Sequence, residues 1–238
     1  MDILATCLLA AIFNFSLCSA NNVELQKLFE DYFNWKLQTY PEWASENGYK
    51  EYNDKLEDLS DHGYKMKYEK CKKFLEKSKS LKGETSEYET YRLILVHEVE
   101  PCVKNHDWGK YFPPINTMGN IQSKLPKLIS KMKIQSSKDF NDTLARLRAV
   151  PKMINQIIHQ LNEGISHKIT YARESIFLTP IVIGNIEDSP FLKPFMQTED
   201  EFGNIEVVKK LVKHRVLPAL QSLNNFLENT YRLSFIMT

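Results

Sequence analysis

The chain has 238 residues, with 31 Lys and Arg against 30 Asp and Glu, which gives a formal net charge of +1. A charge this close to zero excludes proteins that rely on a strong positive field to attract nucleic acid or anionic membranes. Aromatic residues make up 11% of the sequence, which indicates a packed fold rather than a disordered chain.

The first twenty residues have the features of a secretory leader. Asp2 is their one charged side chain, the run from Ile3 to Leu17 is apolar, and Cys18-Ser19-Ala20 supplies small residues for a cleavage site. The run is shorter than the roughly 20 residues that a membrane-spanning helix needs. We predict cleavage after Ala20, an extracellular product, and no stable membrane insertion. The alternative is an uncleaved anchor, and the lack of Lys or Arg before the run counts slightly against a standard leader.

Residues 21–238 have a length that suits one domain, with two lobes as a variant of the same prediction. Only 8 Gly are present and the 10 Pro are spread along the chain, a pattern typical of helices separated by breaks. Apolar residues at helical spacing predict a helix over 23–39, a short one over 41–48, and an amphipathic one over 61–81 whose outer face carries many lysines.

Capping signals and prolines predict the later elements. Ser86-x-x-Glu89 is a capping box that opens a helix to about residue 103, and residues 108–126 are expected to form a packed loop. Ser136 caps another helix, and Pro151 should begin the next one. Residues 178–186 have strand composition but contain Pro and Gly, and a last helix over 204–231 should kink at Pro218. The fold class predicted is all-α, a multi-helix, bundle-like domain with long Pro-containing loops.

Two cysteines and one glycosylation sequon follow the leader. Cys71 and Cys102 could form a disulfide, which an extracellular compartment favours. Against the bridge, the two helices they lie on should place Cys71 opposite residue 98, an axial offset of roughly 6 Å. The sequence leaves both alternatives open. Asn141 begins an Asn-Asp-Thr sequon and is a predicted N-glycosylation site if its surroundings are exposed.

Patterns that would support catalysis or metal binding are incomplete. His97-Glu98 resembles the start of a zinc-binding helix, but Pro101 occupies the position of the second His. His159 and His167 lack a third ligand nearby in the sequence. We therefore predict no catalytic residues, no metal and no cofactor.

Several segments together resemble a known family. These segments are 32–37 (YFNWKL), 40–44 (YPEWA), 52–60 (YNDKLEDLS), 145–151, 161–165 (LNEGI), 189–195 (SPFLKPF) and 216–220 (VLPAL). Through them the sequence is similar to the amino-terminal part of the DUF885 proteins, which are zinc-metallopeptidase-like. The resemblance implies a helical fold, but the family's His-Glu-x-x-Pro-Gly-His motif follows the segment that matches 216–231, so no family metal ligand corresponds to a residue here.

Three functions remain in consideration. We expect a secreted, non-enzymatic binding component; the alternatives are the amino-terminal part of a zinc-dependent peptidase and a secreted effector that uses its basic helix face. The binding partner would be an unknown protein or a second copy, with no nucleic acid involved. Apolar residues that would pack on a missing half should be exposed on the last helix: Leu223, Phe226, Leu227 and Phe235.

Overall fold

The computed structural model describes residues 23–82, 85–116, 120–176, 186–198 and 201–234. The regular elements of the described residues are helices, so the fold is all-α, as predicted. The one extended pairing among the described residues is an isolated antiparallel bridge between Asn116 and Ile176. The predicted leader and most of the strand-like stretch 178–186 lie outside the described residues.

Helices alternate with short connections along the chain. Their bounds are α1 Val23–Thr39, α2 Pro41–Glu46, α3 Asp61–Ser80, α4 Ser86–Lys104, α5 His106–Gly109, α6 Ile121–Ser130, α7 Ser137–Ser166, α8 Lys193–Met196 and α9, which covers 205–234. Single 3₁₀ turns occur at Lys50–Tyr52, Arg173–Ser175 and Ile186–Asp188. None of the helices in the described ranges combines the length and apolar character needed to cross a bilayer.

The chain divides into two compact units. The first contains the described parts of Met1–Thr39 and His62–Asp107, and the second contains Tyr40–Asp61 and the described parts of Trp108–Thr238. In the first unit, α1 buries Leu25, Phe29 and Tyr32. Phe74 of α3 meets the Tyr32 ring edge-on, with ring centroids 5.4 Å apart. The predicted single domain, with or without two lobes, stays a prediction.

The second unit is built around α7 and α9. Helix α7 is 30 residues long and buries apolar residues along its whole length, including Leu147, Val150 and Ile154. The prediction that Pro151 begins a new helix is wrong. Proline in a helix interior costs about 3 kcal/mol, and the burial of side chains on both sides of Pro151 outweighs this cost, because each fully buried apolar side chain contributes roughly 1.5–3 kcal/mol.

Helix α9 is continuous from 205 to 234 and contains two π-helical turns. One of them, Val212–Val216, lies just before Pro218. Pro218 has no N–H to donate to the preceding turn, and a π turn is a common way for a helix to continue past such a defect. The long final helix predicted from the sequence is therefore confirmed.

The prediction that Leu223 and Leu227 are exposed on α9 is wrong. Leu223 and Leu227 are both 0% exposed because this face of α9 packs against α7 within the second unit. Phe226 is half-buried, and Phe235 lies outside the described residues. The surface inferred for a missing half is thus part of the core of this unit.

Two local predictions also need correction. The cap of α4 is Thr85 rather than Ser86, since the Thr85 hydroxyl accepts the Tyr88 N–H at 3.1 Å. The stretch 108–126 is not wholly a loop, because it contains α5 residues and the start of α6, which the Asn120 side chain caps. By contrast, Ser136 caps α7 as predicted, accepting the Asp139 N–H at 3.1 Å.

Candidate functional site

A buried arginine joins α7 to the polar connection that follows α2. Arg146 is 0% exposed. Its guanidinium donates to the Lys55 carbonyl at 2.8 Å and the Tyr52 carbonyl at 2.6 Å, and also to the Ser45 hydroxyl at 2.7 Å. An arginine offers five donors in a rigid fork, so one side chain can hold three separate points of an irregular segment. Arg146 thereby fixes residues 45–55 on the helix.

Glu42 lies close to this arginine and anchors the same segment from its other side. Both carboxylate oxygens accept the Glu57 N–H, at 3.1 and 3.2 Å. Burial raises the pKa of Glu42 to about 7, with the charge of Glu57 as a second cause, while Arg146 lowers it. Burial likewise lowers the pKa of Arg146 to about 10. For both groups, burial outweighs their mutual attraction.

Asp61, the first residue of α3, is the centre of a second polar cluster. Its carboxylate accepts a hydrogen bond from the Lys110 ammonium at 2.7 Å. The same carboxylate lies 3.1 Å from His159 Nε2 and 3.4 Å from the Gln160 amide nitrogen. The hydrogen bond from Lys110 is the main reason that the pKa of Asp61 falls to about 2, with burial acting in the opposite direction. Asp61 is therefore ionised at any physiological pH and acts as an acceptor, not as a proton donor.

Neither cluster supports a hydrolytic mechanism. Arg146 and Glu42 are held in contacts with the backbone, so their charges are used to position residues 41–57. Asp61 and His159 are exposed and pair with each other, and the other partners of the Asp61 carboxylate described above are Lys110 and Gln160. Shifted pKa values occur in structural networks as well as at functional sites, so the shifts alone do not assign a function to either cluster. We read both clusters as structural.

The candidate histidines differ in their surroundings. His97 is exposed on α4 and His159 is exposed on α7. His106 stacks on the Tyr68 ring with centroids 3.7 Å apart, and His167 stacks on Tyr111 at 5.3 Å. Within the described ranges, no three His, Cys, Asp or Glu side chains are close enough to hold a metal ion. These residues do not supply a zinc site, and no step of a zinc-dependent reaction is assigned to them.

An open groove lies on the second unit beside α8. It has a volume of about 530 Å³. Two acidic side chains, a lysine, two apolar side chains and three hydrogen-bonding side chains line it: Glu187, Asp188, Lys193, Pro190, Met196, Ser130, Ser189 and Gln197. Asp188 and Lys193 are both exposed, so the groove offers opposite charges to a ligand. Glu187 is partly neutralised, because Lys209 lies 3.3 Å from it.

A comparison with known families matches most of the chain, although the quoted segment 32–37 lies outside the matched residues. Residues 41–234 match the model of a family described as "Bacterial protein of unknown function (DUF885)". The chain belongs to the DUF885 family. No curated protein and no solved structure matches the chain. The family description names no activity. Membership therefore gives the family of the chain, and its function has to be argued from its own residues.

The DUF885 match includes both polar clusters and the groove, since all of them lie between residues 41 and 234. Sequence reasoning missed Arg146 and Glu42 as a pair. A signal for Arg146 was present: it falls on the same helical face as Thr143 and Val150, both of which are buried. A charged residue on a core-facing position needs partners, so its place in the pattern predicts a buried network. No comparable signal marks Glu42.

Cys71 and Cys102 form a disulfide between α3 and α4, with their Cα atoms 6.2 Å apart. This separation is within the usual range for disulfides, so the axial offset expected from the helix boundaries does not prevent the bridge. Asn141 is exposed in the second turn of α7, while the Thr143 hydroxyl of its sequon is buried and donates to the Asp139 carbonyl at 2.8 Å. Glycosylation at Asn141 stays a prediction.

Proposed function

We propose that this DUF885 protein is a secreted, non-catalytic protein that binds a peptide segment in the groove beside α8. The observation that supports this proposal is the composition of the groove. It combines an apolar wall of Pro190 and Met196 with opposite charges at Asp188 and Lys193. Methionine adapts its shape to different side chains, and the polar groups that line the groove can fix the orientation of a bound peptide.

The proposed ligand follows from these groups. A peptide backbone supplies both donors and acceptors for Ser130 and Gln197, and an apolar side chain fits against Met196. A basic residue or free amino group would lie near Asp188, and an acidic residue or a terminal carboxylate near Lys193. A simple lipid or a uniformly charged polymer would satisfy only one part of this lining.

The test is selection from a library of randomised hexapeptides displayed on phage, with purified protein immobilised at low salt. We expect enrichment of peptides that carry a charged and an apolar residue, and loss of this enrichment in Asp188→Lys and in Lys193→Glu. Glu228→Lys and Lys213→Glu are the matched controls. Both residues are exposed on α9, and the two substitutions make the same changes of charge as those in the groove. Equal enrichment by all five proteins, or none by the wild type, would refute a site in this groove.

Secretion is tested separately. The full chain is expressed in eukaryotic cells, and the amino terminus of any product in the medium is sequenced. The proposal expects a product that begins at Asn21. Retention of the whole chain in cell membranes would instead support the uncleaved anchor.

The main alternative is that the chain acts as part of a zinc-dependent peptidase. This alternative is supported by the resemblance of the family to such enzymes, and the sequence of the transcript beyond the Thr238 codon addresses it directly. An open reading frame that continues into a His-Glu motif would favour the peptidase over a separate binding protein.

A further inference from the structure

Helix α3 and the connection after it carry a local excess of positive charge that the chain as a whole does not have. Residues 62–82 include eight lysines and two glutamates, whereas the whole chain has a net charge of only +1. The opposite side of the helix is anchored in the first unit, where Cys71, Phe74 and Leu75 are buried. The lysines therefore lie on a fixed scaffold rather than on a mobile tail.

The exposed lysines of α3 fall into two rows on either side of an acidic ridge. A helix turns by 100° per residue, which puts Glu69 and Glu76 opposite the buried residues, at the outermost line of the helix. Lys65, Lys72 and Lys79 form one flank, and each lies within 3.5–4.0 Å of a glutamate. Each lysine of this flank therefore has a carboxylate nearby.

The other flank differs in its ion pairing. It consists of Lys70, Lys73 and Lys77, which we call the lysine stripe, preceded on the same side by the exposed Met66. Among the described residues, no carboxylate lies within 4.0 Å of the Lys70 or Lys73 ammonium group. Lys77 has Glu24 at 3.9 Å, so Lys70 and Lys73 are the two lysines of the stripe without a carboxylate nearby in the described part of the chain.

We propose that the lysine stripe binds a sulfated polysaccharide. The three ammonium groups extend along about 10 Å of one helix edge, which matches a thin linear polyanion better than a flat surface. A membrane that approached α3 from outside would meet Glu69 and Glu76 first. It would also find no apolar residue on this edge other than Met66 to enter the hydrocarbon.

Single-stranded nucleic acid is a less suitable linear polyanion. Its binding sites combine positive charge with aromatic rings on which bases stack. The aromatic rings of α3 have contacts within the protein: Phe74 is buried against Tyr32 and Trp35, Tyr68 stacks on His106, and the Lys67 ammonium lies 4.3 Å from the centre of the Tyr64 ring. Sulfate groups need only the ammonium groups that the stripe provides.

The experiment uses heparin as the probe and measures its binding to the full chain by isothermal titration calorimetry at 50 and 150 mM salt. We expect binding that weakens with salt, and about tenfold weaker binding for the double variant Lys70→Glu/Lys73→Glu. The control is Lys65→Glu/Lys72→Glu, which makes the same change of charge on the paired flank of the same helix. It should lose less than about threefold, as expected for a long-range effect screened by salt.

Four results would overturn the proposal. They are an absence of heparin binding by the wild type, equal losses in the two double variants, binding of phosphatidylserine vesicles with the same dependence on Lys70 and Lys73, and equally tight binding of a single-stranded oligonucleotide. Circular dichroism establishes that each variant is folded. Should the glutamate variant unfold, Lys70→Gln/Lys73→Gln replaces it, with Lys65→Gln/Lys72→Gln as its control. The site lies on the first unit, so its failure leaves the proposed groove on the second unit unaffected.

Discussion

Replacement of Glu42 by glutamine should change how stability depends on pH. The pKa of Glu42 rises from 4.5 to about 7 in the folded protein, mainly through burial. Between these two values, the folded state holds a proton on Glu42 that the unfolded state has lost. Stability therefore falls as pH rises through this window, and the contribution of the protonated group is lost once pH exceeds the folded pKa.

The size of the effect follows from the shift. Each pKa unit corresponds to 1.36 kcal/mol, so the difference between 4.5 and about 7 amounts to about 3 kcal/mol. Glutamine cannot ionise, and its amide oxygen can still accept the Glu57 N–H. We expect Glu42→Gln to gain about 3 kcal/mol relative to the wild type between pH 4 and pH 8.

The assay is urea denaturation of both proteins at pH 4 and pH 8. At each pH, the free energy of unfolding of the wild type is subtracted from that of the variant. The result at pH 8 minus the result at pH 4 is the quantity that tests the prediction. Effects of other titrating groups, such as Asp61, cancel because they are common to both proteins. Glu51→Gln, which alters an exposed glutamate of the same segment, should leave the wild-type pH dependence in place. A change below about 0.5 kcal/mol for Glu42→Gln would show that burial does not control this carboxyl group.

Three further changes test the core. Arg146→Met should lower the free energy of unfolding by about 3–5 kcal/mol, because three acceptors of residues 45–55 lose their donor; Arg148→Met, at an exposed position, should cost under about 0.5 kcal/mol in the same denaturation assay. Leu227→Ala should lower the free energy of unfolding by about 2–5 kcal/mol, and Leu233→Ala, at a half-exposed position, should lower it much less. Similar losses for the two variants would instead support the exposed surface predicted for α9. Replacing both disulfide cysteines by serine should cost about 3–4 kcal/mol, and mass spectrometry without reductant should find the bridge in the wild type.

Most helices could be predicted from local sequence because their signals are local. Residues 23–39 show the helical spacing of apolar side chains and stop before Pro41, and α1 has these bounds. Ser136 and Asp139 supply a cap that depends on no distant contact. Such signals act within one turn of helix, so they need no knowledge of the tertiary fold.

The errors came where tertiary packing overrides a local signal. Pro151 is a helix breaker by its own chemistry, yet α7 continues because its buried side chains lie on both sides of the proline. Leu223 and Leu227 were expected to be exposed, but α7 covers them. The partner of an apolar face cannot be read from the face itself.

The candidate site was predicted less completely than the fold. Arg146 donates to the carbonyl groups of Lys55 and Tyr52, which lie 91 and 94 residues earlier in the chain, and no local pattern indicates which carbonyls these are. The groove beside α8 likewise combines Ser130 with residues 187–197. By contrast, the lysine-bearing face of α3 was evident from spacing alone, because both rows lie on one helix.

The fate of a bound peptide tests the central claim most directly. A hexapeptide selected on the wild-type protein is incubated with the purified full chain, with and without added zinc and with a chelator, and is recovered for mass spectrometry. Binding without catalysis predicts that the peptide is recovered intact under all three conditions and binds less well to Asp188→Lys. Cleavage that zinc supports and the chelator abolishes, with stoichiometric zinc in the protein, would contradict it.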